Sequence, residues 1–99
     1  MMNFTKTNES TAEVRANNGI YTNELTGWAL HTRVGWIAEV EVREYREDYV
    51  PEPIYTGKCK RAASAEEAIR KACFEITRAT RKVDPETHEL VKQVRMTLK

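Results

Sequence analysis

The chain has 99 residues and a mass of 11.4 kDa, the size of one globular domain. Hydrophobic residues make up 40% of it and charged residues 31%, a balance typical of a folded protein rather than a disordered one. No apolar run approaches the roughly 18–20 residues of a membrane helix, and no apolar stretch of the kind found in a secretory signal follows Met1. We therefore expect a cytoplasmic protein with no membrane partner.

The net charge of +1 is unevenly distributed along the chain. Residues 1–49 carry five bases against eight acids, a net charge of −3, whereas residues 50–99 carry eleven bases against seven acids, a net charge of +4. A general nucleic-acid binder usually has a larger positive excess. The charge distribution instead suits docking onto a protein, and it leaves open a local basic surface in the C-terminal half.

Residues 1–19 are predicted to form a flexible arm that contains one short helix, and residues 20–99 a single α+β domain. The first nine residues are mostly polar, as in a loosely packed terminus. Ser10 and Glu13 have the spacing of a capping box, which predicts the short helix over residues 11–16.

Three antiparallel strands are predicted next. The first covers residues 28–33, with His31 and Ala29 on its outward face. The second, residues 36–43, alternates strictly between apolar and charged side chains, and the third covers residues 54–60, where Gly57 indicates a bulge or an edge. The alternation places Glu39, Glu41 and Arg43 on an open face and Trp36, Ala38, Val40 and Val42 on a buried one. The charged segment between the second and third strands contains two prolines and is predicted to be a long loop.

Two helices follow the strands. Ser64 and Glu67 form a second capping box, which starts a helix over residues 64–83, and Asp84 and Pro85 have the residue types that begin another. Apolar residues recur every three or four positions in both helices. They are Ala65, Ala68, Ile69, Ala72, Cys73, Ile76, Ala79 (or Thr80) and Val83 in the first helix, and Leu90, Val91, Val94 and Leu98 in the second. The predicted fold is therefore α+β, a three-stranded antiparallel sheet with a long helix and a C-terminal helix packed on one face.

No catalytic motif emerges from the reactive side chains. Cys59 and Cys73 lie on predicted apolar faces and are interpreted as structural. His31 and His88 are far apart in sequence, and both are placed on the surface. The sequence predicts a protein that is not an enzyme, with no cofactor and no metal site.

Residues 55–73 lead from the third strand into the long helix with the sequence Y-x-G-x-C-x-x-A-A-S-A-E-E-A-I-R-K-A-C. Three strands followed by a helix resemble the last two thirds of a double-stranded-RNA-binding domain. Such domains carry lysines at the start of the final helix, where this chain has Ala65, Glu66 and Glu67, so the resemblance implies the fold without that RNA contact. The same strand-strand-helix pattern over about residues 36–80 is similar to small phage and prophage proteins, including some anti-CRISPR proteins. That resemblance implies a phage-encoded inhibitor or modulator of a host nuclease or defence complex, acting in the host cytoplasm.

The leading hypothesis is a protein-binding module, and two alternatives remain open. The predicted contacts of the protein-binding module lie on the open sheet face and in the following loop: Glu39, Glu41, Arg43, Tyr45, Glu47, Asp48 and Tyr49. The first alternative is a nucleic-acid-binding accessory protein that uses the basic face of the long helix: Arg70, Lys71, Arg78, Arg81 and Lys82. The second is a homo-oligomer joined through the terminal helix stripe or a sheet edge. Phe74 is predicted to close the core, or, if exposed, to contact a partner.

Overall fold

A computed structural model describes residues 2–19, 23–44, 46 and 48–98. In these residues five strands precede two helices: β1 (Met2–Asn8), β2 (Thr11–Asn17), β3 (Asn23–Thr32), β4 (Gly35–Glu44), β5 (Tyr55–Ala62), α1 (Ala65–Thr80) and α2 (Pro85–Thr97). Each strand pairs antiparallel with the next, so the strand order is β1-β2-β3-β4-β5. The sheet is a meander with β1 and β5 at its edges.

Both helices pack on one face of the sheet. α1 lies over β3, β4 and β5, and α2 reaches β2 and β3. Alternate side chains of the strands meet the apolar stripes of the helices in one buried layer. The sheet contributes Ala12, Val14, Ala16, Leu25, Ala29, Ala38, Val40, Val42, Cys59 and Ala62. The helices contribute Ala65, Ala68, Ile69, Ala72, Cys73, Ile76, Leu90, Val91, Val94 and Leu98.

The fold is α+β, but the predicted three-stranded sheet is wrong, because β1 and β2 extend it to five strands. The residues predicted as a helix over 11–16 form β2 instead. Ala12, Val14 and Ala16 are all buried, and they are two residues apart, which is the period of a strand. A capping box indicates a helix only when the apolar residues after it recur every three or four positions. The predicted arm is likewise replaced by two paired strands.

The predicted helix starts are confirmed. Ser64 Oγ accepts a hydrogen bond from the backbone N–H of Glu67 at 3.1 Å, which caps α1. Asp84 caps α2. The Asp84 carboxylate accepts one hydrogen bond from the backbone N–H of Thr87 at 3.2 Å and another from the Thr87 hydroxyl at 2.7 Å. The first helix ends earlier than predicted, and Val83 is exposed in the turn that follows it.

β5 is an edge strand, as Gly57 indicates, but the irregular register falls between Trp36 and Ala38 rather than at this glycine. Gly57 has a different role, because a Cβ placed on it would lie 2.0 Å from the carbonyl oxygen of Ala72. The backbone of α1 therefore packs directly on the strand. Beside it, the backbone N–H of Lys58 donates to Glu75 Oε1 at 3.0 Å, so α1 also satisfies a donor of this edge.

The stripe of the terminal helix is one of the two surfaces predicted for self-association. Leu90, Val91, Val94 and Leu98 are all buried in the core of the single chain. These side chains are consequently not available as a seam between copies. A homo-oligomer formed through a sheet edge stays a prediction.

Candidate binding surfaces

The two thiols lie inside the core. Cys59 and Cys73 are free and buried, in agreement with their interpretation as structural residues. Burial raises the pKa of Cys73 to about 12, although the charge of Arg95 acts in the opposite direction. Because the thiolate is the nucleophilic form, Cys73 is held in its unreactive state at neutral pH.

The two histidines have different surroundings. His31 stacks on Trp36 with ring centroids 5.1 Å apart, and His88 Nδ1 lies 3.2 Å from the carbonyl oxygen of Thr77. The pairing of His31 with Ala29 on an outward face is wrong, because Ala29 is buried under the helices. Over the described ranges, no three histidine, cysteine, aspartate or glutamate residues are grouped so that they could hold a metal ion. That the protein is not an enzyme stays a prediction.

The face of the sheet opposite the helices has Trp28 at its centre. Glu13 of β2 and Glu39 of β4 are the register partners of Trp28 on the two neighbouring strands. The Trp28 side chain is 42% exposed, and Leu30, two residues along the strand, is 37% exposed. Leu30 pairs with the half-buried Ile37. Since paired side chains on a sheet are about 4.5–5.5 Å apart, Trp28, Leu30 and Ile37 form a continuous apolar strip.

A depression of about 460 Å³ lies beside this strip. The side chains that line it are mostly polar: Glu13, Arg15, Thr26, Trp28, Glu39 and Glu41. Two of its three carboxylates have ion pairs, since Glu39 lies 3.5 Å from Lys58 Nζ and Glu41 lies 2.6 Å from an Arg43 guanidinium nitrogen. Within the described part of the chain, Glu13 has no ion-pair partner.

Three of the predicted contact residues, Glu39, Glu41 and Arg43, lie on this open face, where the alternation places them. Asp48 and Tyr49 are exposed in the loop after β4. Arg43 Nε donates to the carbonyl oxygen of Pro51 at 3.0 Å, which ties the loop to the strand.

The remaining two predicted contacts, Tyr45 and Glu47, lie outside the described residues. The part that all seven residues take in binding stays a prediction.

The residues of the predicted basic face lie in two groups along the helix, and their part in binding nucleic acid stays a prediction. Arg70 donates to the carbonyl oxygen of Leu98 at 2.8 Å, and Lys71 forms an ion pair with Glu67 at 3.0 Å. These two side chains thus have structural partners near the start of α1. Arg78 and Arg81 lie at its other end, and Lys82 is exposed in the turn that follows.

Arg78 and Arg81 instead face α2 across a groove of about 510 Å³. Side chains at positions i, i+4 and i+7 from each helical segment line it. We call this set the basic groove: Phe74, Arg78 and Arg81 from α1 and its end, and His88, Lys92 and Arg95 from α2. Phe74 is 47% exposed, which corrects its preferred placement in the core. The Arg95 guanidinium carbon lies 4.8 Å from the centroid of the Phe74 ring.

No family model, curated protein or solved structure matches this chain. The resemblance to phage proteins, and the host complex that it implies, therefore stay predictions. Among the described residues, no helix is long and apolar enough to cross a membrane. The case for function depends on the two surfaces.

Sequence reasoning found the α1 side of the basic groove, but it missed Trp28 and the α2 side of the groove. Trp28 is followed by Ala29 and Leu30, so both faces of that strand are apolar in sequence, and the alternation does not distinguish the open face from the buried one. The basic residues of α2 left a usable signal. His88, Lys92 and Arg95 recur at i, i+4 and i+7 along one flank of the apolar stripe, and this spacing matches that of Phe74, Arg78 and Arg81.

Proposed function

We propose that the chain is a protein-binding module that receives its partner on the open sheet face, with Trp28 as the anchor. The observation that supports this best is an exposed indole in the middle of a sheet, with a carboxylate beside it on each neighbouring strand. Tryptophan is enriched at the energetic centres of protein interfaces. Leu30 and Ile37 extend the apolar area, so a partner side chain would be desolvated along the whole strip.

The charges around Trp28 favour a partner that presents a basic side chain. An indole face attracts an ammonium or guanidinium group within about 6 Å of the ring. Among the described residues, Glu13 has no ion pair and Glu39 has one, with the exposed Lys58. An arginine or lysine of the partner, seated on Trp28, would therefore meet both the ring and a carboxylate.

The surrounding ion pairs support a fixed orientation of the partner. Glu39–Lys58 and Glu41–Arg43 place alternating charges along one side of the strip. Exposed ion pairs contribute little to stability, but at the rim of an interface they set register and the rate of association. Like charges of a wrongly placed partner would be repelled.

A selection of random peptides on the immobilised protein tests the proposal. The wild-type chain should enrich peptides with arginine or lysine next to apolar residues. Trp28→Ala should bind these peptides at least about 30-fold more weakly, because loss of a central anchor costs about 2 kcal/mol or more. Glu13→Gln should weaken binding and reduce its salt dependence.

Phe74→Ala is the matched control, since Phe74 is an aromatic of similar exposure on the helical side of the molecule. It should bind the selected peptides as the wild type does. The proposal is contradicted if the peptides that lose binding to Trp28→Ala are acidic, or if every enriched peptide binds Trp28→Ala equally well. So would a failure to enrich any peptide above the level found with Trp28→Ala.

A further inference from the structure

The basic groove carries four permanent positive charges that no described acidic residue neutralises. Arg78, Arg81, Lys92 and Arg95 form no ion pair with any residue that the structure describes. Elsewhere on α1 a basic residue is paired at i,i+4 spacing, as in Glu67–Lys71. An ordinary solvated helix face mixes both signs in this way, whereas the lining of this groove contains no carboxylate.

The acidic residues nearest in sequence to the groove have other partners or lie elsewhere. Asp84 accepts from the backbone N–H and the hydroxyl of Thr87, and Glu75 accepts the backbone N–H of Lys58 at the edge of the sheet. Glu86 and Glu89 line a separate depression on another side of α2, together with Asn18. Among the described residues the groove therefore has no acidic partner, and a ligand with several negative charges would be complementary to it.

An exposed aromatic ring adds a second requirement for the ligand. Phe74 is nearly half exposed at one end of the groove, and Arg95 is positioned over its ring. Nucleobases stack on aromatic side chains and on arginine guanidinium planes, and both kinds of surface occur together here. Three of the four cations are arginines, whose planar forks bind phosphate oxygens in pairs.

We propose that the basic groove binds a single-stranded nucleic acid, with phosphates at the arginines and Lys92 and one base stacked on Phe74. The site is separate from the open sheet face, and the proposal does not depend on the proposed function. A duplex is disfavoured, because its bases are already stacked on one another and present no free face to Phe74. An acidic peptide would satisfy the charges but would leave the ring without a planar partner.

Fluorescence anisotropy with labelled oligonucleotides tests the proposal. The probes are (dT)12, (rU)12, a 12-base-pair duplex and a poly-glutamate peptide, each at 50 and 200 mM KCl. Both single strands should bind more tightly than the duplex and the peptide, and the two arms show whether the groove prefers DNA or RNA. With four phosphates engaged, the slope of log affinity on log salt is about −2.8, so that binding weakens about 50-fold between the two salt concentrations.

Three variants separate the groove from the rest of the surface. Phe74→Leu keeps an apolar side chain but removes the ring, and should weaken binding about 5- to 150-fold, the range measured for loss of one stacked base. Arg78→Gln should weaken binding and reduce the salt slope by about 0.7. Lys71→Gln removes the same charge outside the groove and should leave both quantities unchanged.

The proposal is overturned if no single strand binds at 50 mM KCl, or if Lys71→Gln weakens binding as much as Arg78→Gln. Tighter binding of the duplex would show that Phe74 does not stack on a base. Tighter binding of poly-glutamate would assign the groove to an acidic protein. Circular dichroism of each variant confirms that the fold is retained, and Phe74→Tyr, which keeps the ring, should bind as the wild type does.

Discussion

Gly57→Ala should destabilise the protein more than any exposed substitution, because α1 rests on the strand at this position. The added Cβ would lie 2.0 Å from the carbonyl oxygen of Ala72, 3.0 Å from its carbonyl carbon and 3.1 Å from Ile76 Cγ1. The first of these neighbours is backbone and cannot rotate away. Moving that oxygen to 3.0 Å requires α1 to shift by about 1 Å relative to β5, a displacement that forfeits a quarter to a half of each dispersion contact across the gap.

Overpacking a core costs about 1–3 kcal/mol, and occasionally more. Since the clash is with backbone, and since Ala72 and Ile76 are both buried under it, we expect a loss of about 3 kcal/mol in the free energy of unfolding. The reduced chain entropy of alanine in the unfolded state offsets at most about 1 kcal/mol of the strain. A loss of 3 kcal/mol corresponds to a fall in Tm of about 12–24 °C for a domain of this size.

Urea unfolding followed by circular dichroism measures this loss. Gly27→Ala is the matched control, because its added Cβ would meet the side-chain methyls of Val40 at 2.8 Å and Val14 at 3.0 Å as well as the Glu39 carbonyl oxygen at 3.0 Å. We expect a smaller cost there, about 1–2 kcal/mol. A Gly57→Ala protein within 0.5 kcal/mol of the wild type would refute the close approach of α1 to β5.

Three further predictions concern stability. Ser64→Ala should lower the free energy of unfolding by about 1 kcal/mol in urea titrations, because the Glu67 N–H loses its cap, and an unchanged midpoint would contradict that role. Thr87→Val should cost about 1–3 kcal/mol, since the Thr87 hydroxyl accepts from Asn23 at 2.5 Å and donates to Asp84, and thermal melts against an exposed control, Thr97→Val, measure it. Because the pKa of the Cys73 thiol is raised in the folded state, this thiol stays protonated at pH values where it is ionised in the unfolded chain. Its contribution to the free energy of unfolding is therefore complete below about pH 9 and is lost as the pH rises towards 12. Between pH 8 and pH 10 the free energy of unfolding should fall by about 1.4 kcal/mol more in the wild type than in Cys73→Ala. Equal losses in parallel urea titrations would show that burial does not raise the pKa of this thiol.

The helical half could be predicted from the sequence because its signals are local. A capping serine, a capping aspartate followed by proline, and apolar residues every three or four positions act within one or two turns. Ser64, Asp84 and the buried stripes accordingly lie where the sequence places them. The only boundary error is at the end of α1, where Val83 continues the period but lies in the turn.

The first two strands could not be recognised by the same means. The capping-box spacing of Ser10 and Glu13 competed with an alternation of only three small apolar residues, Ala12, Val14 and Ala16. So short an alternating run becomes a strand here because it pairs on both sides, with β1 and with β3. A strand partner distant in sequence is information that a local pattern does not contain.

Local chemistry alone determined the α+β class, the helix starts and the charged face of β4, because each depends on neighbours within a few residues. Only the tertiary structure decided the rest. Pairing across β2, β3 and β4 places Trp28 between two glutamates, and the turn between the helices brings Arg78 and Arg81 towards Lys92 and Arg95. Both surfaces join residues from different elements, so their composition follows from how the elements pack and not from the order of residues within any one of them.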